Sequence, residues 1–188
     1  MADADRIRHV EGIVFLLAFA ACVPAANYMI GHVGTVCVPN GPCLIPVGFG
    51  LTAPSGVLLV GLALVLRDLV QRRLGLVWSV AAIVVGAILS TTFTAPALAL
   101  ASASAFLASE IADLFVFTPL QRRGLVIAAL SSSVVGLIVD SAMFLWLAFG
   151  SLDFLAGQVL GKAIMVVASL PFLVMLRKRD RKLGLYPA

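Results

Sequence analysis

The chain alternates between long apolar runs and short polar breaks. Six runs are long enough to cross about 30 Å of hydrocarbon, which takes roughly 20 helical residues. They lie near 11–31, 54–71, 76–95, 97–118, 124–149 and 153–176. The third and fourth are nearly fused. TAPAL at 94–98 is the break, because Pro96 disfavours helix at the residue before it. The links at 72–75, 119–123 and 150–152 are short, so neighbouring helices are expected to pack as antiparallel hairpins. The pattern predicts one all-α domain over 1–188, a bundle of six transmembrane helices.

Composition supports a membrane location. Of 188 residues, 62% are hydrophobic and 12% charged, against about 25% charged in a soluble domain. A chain this short lacks the interior volume to hide so much apolar surface from water. The first run has no clean cleavage site after it and reads as a membrane helix. Net charge is +4, yet no basic stripe is interleaved with aromatics, so nucleic acid is not an expected partner. Instead the basic residues cluster at the ends of the apolar runs. Arg6 and Arg8 precede the first, Arg72 and Arg73 follow the second, Arg122 and Arg123 follow the fourth, and Arg177 to Lys182 follow the sixth. The alternate loops, 32–53, around 96, and 150–152, hold no Lys or Arg. This asymmetry predicts that both termini are cytoplasmic, in a bacterial inner membrane.

The longest loop, from His32 to Gly56, is uncharged and rich in Gly and Pro. It is expected to be ordered by turns and to fold back as a lid or re-entrant segment. Cys37 and Cys43 flank PNGP, a strong turn signal. On an outer face they are placed for a disulfide across that turn; the alternative is two free thiols. Cys22 reads as a packing residue. His9 and His32 fall on opposite sides, so no metal site is expected.

Charges inside the runs are the candidate chemistry. Glu110 and Asp113 share one face of the fourth helix, and each costs about 2.5–3.5 kcal/mol at a membrane centre. At about 1.5 Å per residue, Arg67 and Asp68 in the second helix reach a similar inner-half depth. Asp140 in the fifth and Lys162 in the sixth lie nearer the outside, with Gln158 one turn from Lys162. Asn27 sits near the outer end of the first helix. Depth matching suggests two pairs, Arg67 with Glu110 or Asp113, and Asp140 with Lys162. Polar contacts between membrane helices average only about 0.6 kcal/mol, so these groups are expected to line a pathway or site. Arg67 and Asp68 have an alternative reading, with Arg67 snorkelling to the cytoplasmic edge.

Gly157 and Gly161 form Gly-x-x-x-Gly, which lets helices approach closely. Packing within the bundle and a homo-oligomer face are both open. Ser131 to Ser133 either bond their own helix or face a cavity. The chain has no nucleotide-binding G-x-x-x-x-G-K-[ST], no H-E-x-x-H and no G-x-S-x-G. A membrane enzyme is poorly supported, no cofactor is called for, and a carrier of a small polar solute fits better.

Four segments sharpen this. VLRDLVQRRLG, ASEIADLFVFTPLQRR, SSVVGLIVDSAMF and GQVLGK with SLPFLVML, in order and spacing over about 50–177, resemble the queuosine-precursor transporter family of the vitamin-uptake group. The chain departs from the family's usual Asn at Leu137, and carries Glu110 with Asp113 where the family often has Gln or Asp. The resemblance implies a six-helix fold similar to the substrate-binding components of energy-coupling-factor importers. It also implies import of 7-cyano-7-deazaguanine (preQ0), with 7-aminomethyl-7-deazaguanine (preQ1) as a second expected substrate. Glu110 would accept the adjacent N–H and NH₂ donors of such a base as a charge-assisted pair, with Asp113 orienting it. Lys162 and Gln158 would donate to the ring carbonyl or nitrile, Asp140 would hold Lys162, and Phe106, Phe115 or Phe49 would stack on the ring. A solitary secondary transporter is the first reading. A binding component needing a separate ATPase, suggested by Ala21-x-x-x-Ala25, is a second, and a non-transport anchor or assembly protein a third.

Overall fold

A computed structural model describes residues 2–39, 41–91 and 96–185. Six helices carry the chain: α1 (Ala2–His32), α2 (Val57–Leu74), α3 (Leu76–Leu89), α4 (Pro96–Leu120), α5 (Leu125–Phe149) and α6 (Leu155–Leu183). Four of them contain stretches long and apolar enough to cross a membrane: Asp5–His32, Leu98–Leu120, Leu125–Phe149 and Leu155–Leu183. Helix α3 has 14 described residues. The predicted break at TAPAL falls partly outside the described residues, since Thr94 and Ala95 are not among them; Pro96 opens α4.

Helix α2 is the axis of the bundle, and it touches all five other helices. Its position explains its composition. Arg67, Asp68, Gln71, Arg72 and Arg73 are all buried, where protein rather than lipid surrounds them. A helix with that charge load cannot face hydrocarbon, but it can sit inside a ring of apolar helices that satisfy it. The turn into α3 needs only Gly75, at φ +92°, a conformation open to glycine and costly for residues with a Cβ.

Close approach of α2 and α6 also depends on glycine. A Cβ on Gly61 would stand 2.8 Å from the Lys162 carbonyl oxygen, one on Gly161 2.8 Å from the Val57 side chain, and one on Gly157 would run into the Thr52 carbonyl oxygen. The Gly157/Gly161 face is therefore used within the chain, against α2 and the loop before it.

That loop differs from expectation. It is ordered as a three-stranded antiparallel sheet, β1 (Val36–Cys37), β2 (Cys43–Gly48) and β3 (Leu51–Pro54), in the order β1-β2-β3, so the fold is helical with a small sheet rather than purely α. Turn residues define its ends, while Leu44, Val47 and Ala53 supply a buried face. Val47 and Ala53 pack with Val57. Cys37 lies directly opposite Cys43 in the register, and a disulfide joins them. Asn40 of the PNGP turn lies outside the described residues. Strand β3 packs on α6, which makes the sheet a fixed cap over one end of the bundle.

At the opposite end, which carries both termini, ion pairs tie three helices. Asp180 of α6 accepts from Arg72 (3.0 Å) and Arg73 (2.7 Å) of α2. Glu11 of α1 accepts from Arg73 (2.9 Å) and Arg179 (2.6 Å).

Candidate functional site

Beneath the sheet is a small cavity of about 50 Å³ walled by α1, α2, α4, α5 and α6, with Pro54 of β3 at its edge; this is the chamber. Its walls are largely apolar, including Val57, Val60, Phe106 and Phe144. Five of the polar residues singled out from sequence line it: Asn27, Glu110, Asp140, Gln158 and Lys162. An apolar hollow with a few convergent polar groups is the usual form of a small-molecule site.

Each polar group has a defined state of engagement. Lys162 Nζ donates to Asp140 Oδ2 at 2.5 Å, to Ser141 Oγ at 2.8 Å and to Gln158 Oε1 at 2.7 Å. An ammonium has three donors, so Lys162 is saturated, at 1% exposure. It orders its neighbours instead of offering a hydrogen bond. By drawing in Gln158 Oε1, it leaves the Gln158 amide N–H groups without a partner among the described residues. Asp140 Oδ1 likewise takes no hydrogen bond there. In this arrangement Lys162 has no donor left over for a ligand.

Glu110 forms the boundary between the chamber and a second cluster. Its Oε2 accepts from Arg67 Nε at 2.9 Å, while Oε1 has no hydrogen-bond partner among the described residues. Arg67 also pairs with Asp113 and, at 3.2 Å, with Asp68. It donates to Gln71 Oε1 at 3.2 Å and lies 5.9 Å from the centre of the Phe117 ring. Ser132 donates to Asp68 at 2.9 Å, and Gln71 to Thr118 at 2.9 Å. Arg67 is 0% exposed, so the snorkelling alternative does not hold: two acids from α4 keep it inside.

One guanidinium faces three carboxylates, Asp68, Glu110 and Asp113, so two negative charges are in excess when all are ionised. Unpaired buried charge costs several kcal/mol per ion, and uptake of a proton would relieve it. Arg67, Asp68 and Asp113 do not line the chamber. They form a layer below it, reached through Glu110.

Both depth-matched pairs are present, and Arg67 contacts both candidate acids. Of the three aromatics expected to stack, Phe106 lines the chamber, whereas Phe115 is 74% exposed and Phe49, at the β2–β3 turn, is 94% exposed. Phe144 also lines the chamber, one turn from Asp140 on the same helix face. Asn27 donates to the Ser90 carbonyl and accepts from Ser102 at 3.4 Å, tying α1 to α3 and α4. Ser141 is an addition that only the helix packing identifies, while Ser132, one of the three serines left open by the sequence, is placed to donate to Asp68 and to the Ala129 carbonyl of its own helix.

Residues 76–176, just over half of the chain, match the family described as putative vitamin uptake transporter. That stretch includes Glu110, Asp113, Asp140, Gln158 and Lys162. No curated protein and no solved structure matches the chain.

Proposed function

We propose that this chain, which belongs to the putative vitamin uptake transporter family, imports a 7-deazaguanine base, preQ0 first and preQ1 second. It is a multi-pass membrane protein of a transporter family. In our reading all six helices are embedded, with the four basic clusters and both termini on the cytoplasmic side of a bacterial inner membrane. The sheet cap then faces outward.

The observation that carries this reading is the pattern of unused hydrogen-bonding atoms in the chamber. Among the described residues, Glu110 Oε1 and Asp140 Oδ1 are acceptors without a partner and the Gln158 amide a donor without one. A deazaguanine has adjacent N–H and NH₂ donors on one edge and a carbonyl acceptor beside them. Glu110 accepts from the donor edge, Gln158 donates to the carbonyl or nitrile, and Phe106 or Phe144 packs on the ring. Lys162, Asp140 and Ser141 hold Gln158 in place. Asp113 keeps Arg67 paired when Glu110 turns to the substrate.

Transport is the work of this chain alone, with the acid-rich Arg67 layer taking up a proton as the substrate leaves inward. Uptake of labelled preQ0 by cells that cannot make deazaguanines, and that lack any coupling ATPase module, tests this. Uptake that depends on the chain and is abolished by a protonophore is expected. Uptake only when an ATPase module is supplied would instead make the chain a binding component. No uptake in either host would contradict the transport reading.

A further inference from the structure

At the end of the bundle that carries both termini lies a second cavity, of about 230 Å³, between the α4–α5 turn and the end of α6. Five arginines line it: Arg72, Arg122, Arg123, Arg177 and Arg181. The acid among its walls, Asp180, is already committed, since both its oxygens accept from Arg72 and Arg73. The side chains of Arg122, Arg123, Arg177 and Arg181 make no hydrogen bond or ion pair with any described residue. The start of α5 adds to the positive field. Gly124 and Leu125 line the cavity, and no side chain caps that helix end, so its first backbone N–H groups are available to an anion.

Orientation in a membrane needs basic residues at this end, but it does not need them to converge. Lys178 and Lys182 show the difference: they are on the same helix and line a separate groove. Like charges gathered around one hollow repel, and burial of Arg72, with Arg73 and Arg177 beside it, makes its charge harder to hold, so its pKa falls even with Asp180 as partner. Such an arrangement is stable when an anion occupies it. Guanidinium forks match phosphate oxygens in pairs, and basic pockets between helices at this membrane face hold acidic headgroups.

We infer that this cavity is a phosphate-binding site, filled by the headgroup of an acidic phospholipid or by a free phosphate, which fastens the α4–α5 turn to α6. The site is remote from the chamber and does not depend on the substrate reading.

The test uses the full chain, purified in nanodiscs of phosphatidylcholine or of equimolar phosphatidylcholine and phosphatidylglycerol. Native mass spectrometry reads the retained lipid, and thermal unfolding is followed with inorganic phosphate against chloride at equal ionic strength. Retention of phosphatidylglycerol identifies the lipid source, and stabilisation by phosphate in phosphatidylcholine identifies the free anion. In either case Arg122→Gln with Arg177→Gln weakens binding about fivefold for each arginine removed. Lys178→Gln with Lys182→Gln, the same change of charge outside the cavity, leaves it intact. Equal loss in the two variants would show general surface attraction and overturn the site. So would wild-type protein that responds to neither anion, a result that needs no variant to fold.

Discussion

Lys162 Nζ donates to Gln158 Oε1 at 2.7 Å, and that single contact fixes which way the Gln158 amide faces. Both residues are on α6, one turn apart, and both line the chamber. The ammonium acts as an orienting group whose product is a directed amide donor.

Replacing that donor tests the arrangement. Gln158→Glu keeps an acceptor for Lys162 but removes the N–H groups. Substrate binding is expected to fall by about 1–3 kcal/mol, the cost of an unmatched buried group, and thermal stability should fall as well, because Lys162 already pairs with Asp140 and the added carboxylate is a buried charge in excess. Calorimetric titration of the purified protein against preQ0 measures it.

Lys162 itself should matter more for folding than for recognition. Lys162→Met leaves Asp140 buried without its cation and is expected to destabilise by about 3–5 kcal/mol. Adding Asp140→Leu should recover much of that loss, because an apolar pair of similar volume can replace a buried ion pair. Denaturant unfolding in detergent of both variants gives the comparison; similar instability in the two would argue against the pairing.

The two acids of α4 should separate by phenotype. Asp113 touches Arg67 and not the chamber, so Asp113→Asn should keep the fold, since Glu110 and Asp68 still pair Arg67, and alter proton-driven uptake while leaving preQ0 affinity within about threefold, a shift under about 1 kcal/mol. Glu110→Gln should lower affinity and keep the fold, since Asp113 and Asp68 still pair Arg67.

Gly157→Val would place side-chain atoms against the Thr52 carbonyl. Crowding of this kind costs about 1–3 kcal/mol, and here it would lift the sheet off α6. Faster proteolysis of the 33–56 segment in the variant is the expected sign.

Much of this architecture was legible in the sequence, for identifiable reasons. Apolar run length located six helices, and the cost of intramembrane charge picked out Glu110, Asp140 and Lys162, which share one chamber. What escaped depended on packing. The sheet formed from 36–54 has strands of two to six residues, too short for a periodic signal, and its Gly and Pro residues read as turns. The Asp180 clamp was hidden because an acid within RKRDRK looks like part of a basic tail. Helix α2 reads as a span by its length, and what escaped there is that its charges are met by partners on α1, α4, α5 and α6 that sequence order does not reveal. Phe115 and Phe106 were indistinguishable by type, and only the rotation of α4 assigns one to lipid and the other to the chamber.

The central claim is that Glu110 reads the donor edge of a deazaguanine in the chamber. Titration of purified wild-type and Glu110→Gln protein with preQ0, alongside their thermal unfolding midpoints, tests it most directly. The account predicts saturable wild-type binding, at least about tenfold weaker in Glu110→Gln, as loss of a charge-assisted hydrogen bond implies, with unfolding midpoints nearly the same. Equal affinity in two equally stable proteins would contradict it.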